Sequence, residues 1–204
     1  MSDPTNPDVP VLELHPDSPL RQAALEVERH AAEAGWDQPP RLFALVRTAD
    51  LVARAPELAA QVGDGSDGSF TPIEQDGVPV EGFEQALAQM SWPGDVDGCA
   101  AVIERFMLPA GVETELPEDP EEAAAVMAAH PDRQEVRLVA AVLRGGSAHS
   151  AVRRRGDGAD SDLLEGPGLV PGLVALLNHT LLSEPPRRVE SPHGDVFSEM
   201  EVTP

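Results

Sequence analysis

Residues 135–155, EVRLVAAVLRGGSAHSAVRRR, decide how this chain folds. Val136, Leu138, Ala140 and Val142 alternate with their neighbours, the period-two pattern of a β-strand with one face turned inward. Gly145 and Gly146 follow at the point where a tight reversal needs positive backbone angles, so residues 148–155 fold back as the second strand of a hairpin. A hairpin is antiparallel, which argues against a doubly wound parallel sheet and, with helices elsewhere, predicts an α+β fold.

Working outward, residues 99–108, CAAVIERFML, are apolar and β-branched enough for a central strand, interrupted by Glu104 and Arg105 on opposite faces. A buried charge needs a countercharge, so each is expected to meet Arg137, Glu135 or Arg153 across the ladder, or to lie on a wet face. Residues 42–46, between Arg41 and Arg47, read as a short buried strand. The expected sheet is antiparallel, of about four strands, with helices packed on one face and the other face open to water or to a second subunit.

The first helix is predicted over residues 19–34. Ser18 suits the cap, Pro19 the first helical position and Gly35 a left-handed end. Leu20, Ala24, Val27, Ala31 and Ala34 form its inward stripe, while Glu28 is expected to point elsewhere, and Trp36 to contact the last turn. Thr48 reads as a second cap, ahead of one or two short helices over residues 49–62 broken by Pro56. The segment GDGSDGS (63–69) reads as a mobile loop. Further helices are expected over residues 82–90, 120–129 (capped by Asp119) and 170–182. The Pro-rich and acidic ends, residues 1–11 and 183–204, read as flexible tails around a single α+β domain at 12–182.

Only 3% of the residues are aromatic, so the core must be aliphatic around Phe43, Phe83, Phe106, Trp36 and Trp92. The chain has 14 arginines, no lysine and 36 acidic residues, a net charge of −22. Such a charge repels phosphate backbones and anionic lipid, so neither nucleic acid nor a membrane is an expected partner, and a cationic protein partner is. No apolar run is long enough to span a bilayer and no signal-peptide pattern opens the chain. Together with the lone Cys99, this predicts a cytoplasmic protein.

Without lysine there is no phosphate loop of the G-x-x-x-x-G-K type, and no G-x-G-x-x-G opens a helix. The acidic clusters at Asp64 and Asp67 and at Asp157, Asp160 and Asp162 lack calcium-loop spacing. His15, His30, His130, His149, His179 and His193 stand singly, without zinc spacing. Neither a metal nor a cofactor is expected. Cys99 begins an apolar strand and reads as a small core side chain, and Ser147 and Ser150 beside His149 make no triad. Among charged groups, Glu104, Arg105 and Arg137, with Arg153 and Arg155 from the one basic cluster, are the candidate binding residues, although structural ion pairing is the first reading for Glu104 and Arg105. No catalytic residue is assigned.

The segments SPLRQAALEVERHAAEAGWDQPPRLFALVRTADL, TPIEQD, WPGDVDGCAAVIERFMLP and HPDRQEVRLVAAVLR resemble a family of uncharacterised cytosolic proteins of high-GC actinobacteria. The resemblance covers residues 14–182 and implies no activity. The element order is also similar to that of the small acidic dimeric chaperones of secretion systems. With no catalytic signature, an acidic surface and a sheet expected to be covered on one face, the function expected is that of a non-enzymatic acidic interaction or chaperone-like protein. The alternative is a small enzyme or a small-molecule or anion-binding protein with its site near Glu104, Arg105, Arg137 and Arg153. Homodimerisation is expected from the apolar faces of the hairpin.

Overall fold

The computed structural model describes residues 18–108, 116–156 and 163–182. The two tails, residues 12–17, Asp157, Asp160, Asp162, His15 and His193 lie outside them. The elements run α1 (Pro19–Glu33), β1 (Arg41–Arg47), α2 (Thr48–Arg54), a 3-10 turn (Pro56–Leu58), α3 (Ala59–Val62), β2 (Phe70–Glu74), α4 (Phe83–Gln89), β3 (Gly98–Met107), α5 (Pro120–Ala129), β4 (Gln134–Leu143), β5 (Ala148–Arg154), β6 (Leu163–Gly166) and α6 (Pro171–Leu182). The fold is α+β, and the sheet has six strands in the order β2-β1-β3-β4-β5-β6, all pairs antiparallel.

The sheet is larger than the four strands expected because both edges are short. β2 carries Pro72, which has no amide hydrogen to donate and is tolerated because this strand lies at an edge. β6 has four residues, too few to show a period. The 145–146 turn falls where predicted, with Gly146 at φ +84°.

Helices cover both faces of the sheet, not one. On one side α1 lays Leu20, Ala23, Ala24, Val27 and Ala31 against Phe43, Leu45, Ala100, Val102, Val139, Ala141 and Ala151. On the other, Phe83 and Leu87 of α4 and Leu173, Leu177 and Leu181 of α6 pack on Leu42, Ala44, Cys99, Ala101, Ile103, Ala140 and Val142. The interior is therefore two cores flanking one sheet. The middle of β4, read as alternating, is buried on both sides because Val139 and Ala141 are as apolar as their neighbours. Ala100, Ala101, Ala140 and Ala141 are fully buried at the centre of the sheet, two toward each helical layer.

Several local expectations change. Ser18 contributes its carbonyl, not its hydroxyl, to Gln22 N–H. Glu28 faces inward, since position 28 lies one turn from both Ala24 and Ala31. Ala34 is exposed. The hydroxyl of Thr48 does not cap α2 but bonds those of Thr71 (3.0 Å) and Ser69 (2.9 Å). Asp119 does cap α5, accepting the Glu122 amide at 3.0 Å. Phe106 is no core residue; it is 39% exposed, with Arg133 5.5 Å from its ring.

Candidate functional site

Strand alternation separates the predicted site residues. Glu104 faces α1, directly opposite Arg137 on β4. Arg137 is buried and donates to Glu104 Oε1 from Nη2 (2.9 Å) and Nε (3.2 Å), as well as to the Gly35 carbonyl at the end of α1. The other oxygen of Glu104 accepts the amides of Asp37 (2.8 Å) and Gln38 (3.2 Å). Trp36 lies under two guanidinium groups, 4.5 Å from Arg137 and 5.5 Å from Arg155, so its contact is with charge as much as with the last helical turn. Arg155 bonds Asp37 (2.9 Å) and Glu135 (2.7 Å) and holds the Asp37 carboxyl below its ordinary range. Arg153 grips buried Glu28 at 2.5 and 2.8 Å, which raises its own pKa. Glu104, Arg137, Arg153 and Arg155 thus clasp α1 and the turn after it to β3, β4 and β5, each held by opposite charge.

Arg105 lies on the other face. It bonds Glu84 of α4 at 3.0 Å and the Glu104 carbonyl at 3.0 Å. Here α4 and α6 leave a hollow over the sheet that opens toward β6, where Leu164 is exposed. The register aligns Ile103, Leu138, Val152 and Leu164 across β3, β4, β5 and β6, an apolar row about 14 Å long at ordinary strand spacing. Over it lies a hollow of about 780 Å³, walled by Leu169 and the first turns of α6. A smaller hollow of about 320 Å³ adjoins it, sharing Met107, Val152 and Leu164. Together they form a trough in which Met107 (47% exposed), Leu164 (46%) and Leu169 (42%) stand open to solvent, a local concentration of large apolar side chains that a soluble surface ordinarily avoids. The next row along the sheet is Arg105, Val136 and Arg154. Arg154 lines the smaller hollow, is exposed, and has no partner among the described residues.

Of the remaining reactive types, Cys99 and the loop aspartates are held by neighbours, while among the described residues Ser150 Oγ and His149 Nδ1 are buried without a hydrogen-bond partner. Cys99 is buried, 3.6 Å from Thr180 Oγ1, and burial pushes its thiol up to about 11, so it stays protonated. His149 points to the α1 side and Ser150 to the other, as strand alternation requires, so the two make no nucleophile and base pair. Asp64 and Asp67 accept amides of Ser66 and Ser69 within their own loop, each at 3.0 Å. Among the described residues no three His, Cys, Asp or Glu side chains are grouped to hold a metal.

His149 supplies a pH test. Its Nε2 lies 3.2 Å from Glu165, which Arg21 clamps at 2.7 and 2.5 Å. Burial holds the imidazole below its ordinary value of 6.5 despite the opposing pull of Glu165. The unfolded chain therefore binds this proton at higher pH than the folded one. The stability tied to neutral His149 is complete above about pH 6.5 and is lost as pH falls through the folded value. Urea unfolding is expected to show a midpoint that falls as pH drops below about 6.5. His149→Gln should flatten this window, whereas loss at lower pH, where Glu165, Glu74 and Asp37 take up protons, should persist.

These features define an α+β protein whose antiparallel sheet is clasped by ion pairs on one side and hollowed into an apolar trough on the other. The chain belongs to the PPA1309-like protein family, a family of uncharacterised proteins, whose model matches residues 20–182. No curated protein and no solved structure matches it. Among the described residues no helix is long and apolar enough to cross a membrane.

Proposed function

We propose that this chain is a non-enzymatic binding protein, and that binding takes place in the trough over Ile103, Leu138, Val152 and Leu164. The observation that carries the reading is the trough itself: a largely apolar hollow of about 780 Å³, within the size range of ligand pockets, with a single ion pair at its rim. Among the described residues the only carboxylate lining that hollow, Glu84, is already engaged by Arg105. The acidic composition and a cytoplasmic, actinobacterial setting belong to the same reading. The homodimer expected from the hairpin moves to this strip, since α1 and α6 cover the rest of that sheet region.

Leu164 and Leu169 are half-exposed, so Leu164→Asp with Leu169→Asp should leave the fold intact while making the trough hostile to apolar groups. An environment-sensitive apolar dye is expected to bind the wild-type protein at least about tenfold more tightly than this double variant, the loss expected when a buried charge replaces an apolar contact. Equal binding would remove the trough as the site. Sedimentation equilibrium of the same pair tests the dimer: a wild-type dimer that the double variant abolishes places the second copy on the trough, and a monomeric wild type removes self-association.

A further inference from the structure

We propose that the trough takes an amphiphilic carboxylate, its head on Arg154 and its aliphatic body along Val152, Leu138 and Ile103; this rests on the reading of the trough as the binding site. The chain carries 36 acidic residues against 14 arginines, so an arginine left without a carboxylate is unusual here. Arg21, Arg29, Arg41, Arg47, Arg54, Arg105, Arg137, Arg153 and Arg155 all face carboxylates. Arg144 is taken up by backbone carbonyls of Trp92, Pro93, Val96 and Leu181, and Arg133 by the His130 carbonyl and the ring of Phe106. Among the described residues Arg154 has none of these, although β5 brings it beside the apolar row, two residues along from Val152.

The placement is specific. Arg154 and Arg105 sit in one row across the sheet, on either side of buried Val136 and so about 10 Å apart. Arg105 is neutralised by Glu84 and serves as wall, which leaves Arg154 as the free guanidinium for an incoming anion, in a hollow that Asp132 and Gln134 also line. Guanidinium fits a carboxylate through two parallel hydrogen bonds, and the adjoining apolar surface raises their strength by excluding water. The rest of the ligand must be apolar, because beyond Arg154 the shared lining of the two hollows is Met107, Val152 and Leu164. The long-range field of a −22 chain opposes anions, so affinity must come from this short-range contact, and it is expected to rise with added salt as that repulsion is screened.

The test is calorimetric titration of the whole chain with decanoate and, separately, with decanol, which has the same chain without the charge. Decanoate is expected to bind at least about tenfold more tightly than decanol, and Arg154→Gln to remove that advantage while leaving decanol binding unchanged. Arg154 is exposed, so this variant should fold normally, as circular dichroism will verify. Leu164→Asp should weaken both ligands. If the two bind equally and Arg154→Gln changes neither, the carboxylate inference is overturned while the trough stands. If neither binds, but a protein held by the wild type is released by Leu164→Asp, the occupant is a polypeptide and the inference is again overturned. If Leu164→Asp alters no ligand at all, both the inference and the trough fail.

Discussion

Glu104→Ala is expected to lower the unfolding free energy by about 3–5 kcal/mol, because it strands the Arg137 guanidinium in the interior. The Arg137 side chain is 1% exposed and that of Glu104 10%, so water cannot replace the lost carboxylate. The same carboxylate organises the turn after α1 through the Asp37 and Gln38 amides, so the end of the helix should loosen with it. Two controls separate the causes. Glu84→Ala breaks the Arg105 pair, whose side chains are 43% and 49% exposed, and should cost less than about 1 kcal/mol. Replacing both Glu104 and Arg137, by Leu and Met, removes the charges together and should recover most of the stability lost in Glu104→Ala. Urea denaturation monitored by circular dichroism measures all three. A Glu104→Ala midpoint no lower than that of Glu84→Ala would refute the view that burial makes the first pair matter.

Gly65→Ala should be nearly as damaging, by about 3 kcal/mol or more, combining left-handed strain with a collision that neither side can relieve. Gly65 has φ +70°, and a Cβ there would lie 2.2 Å from the Ala49 amide nitrogen and 2.7 Å from its Cα. Backbone cannot rotate away as a side chain does, so the loop must lift from the start of α2. Lifting it breaks the Thr48 N–H bond to the Ser69 carbonyl and the hydroxyl contacts among Thr48, Ser69 and Thr71 that join this loop to β2. Gly68, three residues on, has φ +77° but open space at the Cβ position. Gly68→Ala should therefore cost only the conformational strain, about 1–2 kcal/mol. Equal thermal shifts for the two variants would show that the packing of Gly65 on Ala49 contributes nothing.

That loop illustrates why part of the fold was legible and part was not. Its composition identifies a turn-rich connection, yet nothing local distinguishes Gly65, which packs on backbone, from Gly68, which does not. The hairpin, β3, α1, α4, α5 and α6 were readable because each carries its own signal: period-two or helical spacing, a Pro start, a Gly or Asp at an end. Two edge strands escaped, one because of Pro72 and one because four residues carry no period. The second helical layer was missed because apolar residues on both faces of β4 blur the alternation that would mark an exposed side.

The site divides in the same way. That Glu104 needed a countercharge, with Arg137 as one candidate, followed from the chemistry of a charge in an apolar strand; which arginine supplied it depended on register. The five candidate residues were grouped by charge and nearness in sequence, and alternation then sent Arg105 to one face and Glu104, Arg137, Arg153 and Arg155 to the other. Arg154, read with Arg153 and Arg155 as the one basic cluster, faces the trough for the same reason.

By itself the sequence determined the types and approximate bounds of the strongly patterned elements, the acidic balance and the antiparallel hairpin, because these follow from nearest-neighbour stereochemistry and from sums over residues. Only the tertiary structure decided that helices lie on both faces, that Glu28 and Arg153 meet across 125 positions, and that Ile103, Leu138, Val152 and Leu164 share one apolar row beneath the trough. Such contacts depend on strand register, and a slip of one residue would turn each of these side chains to the opposite face.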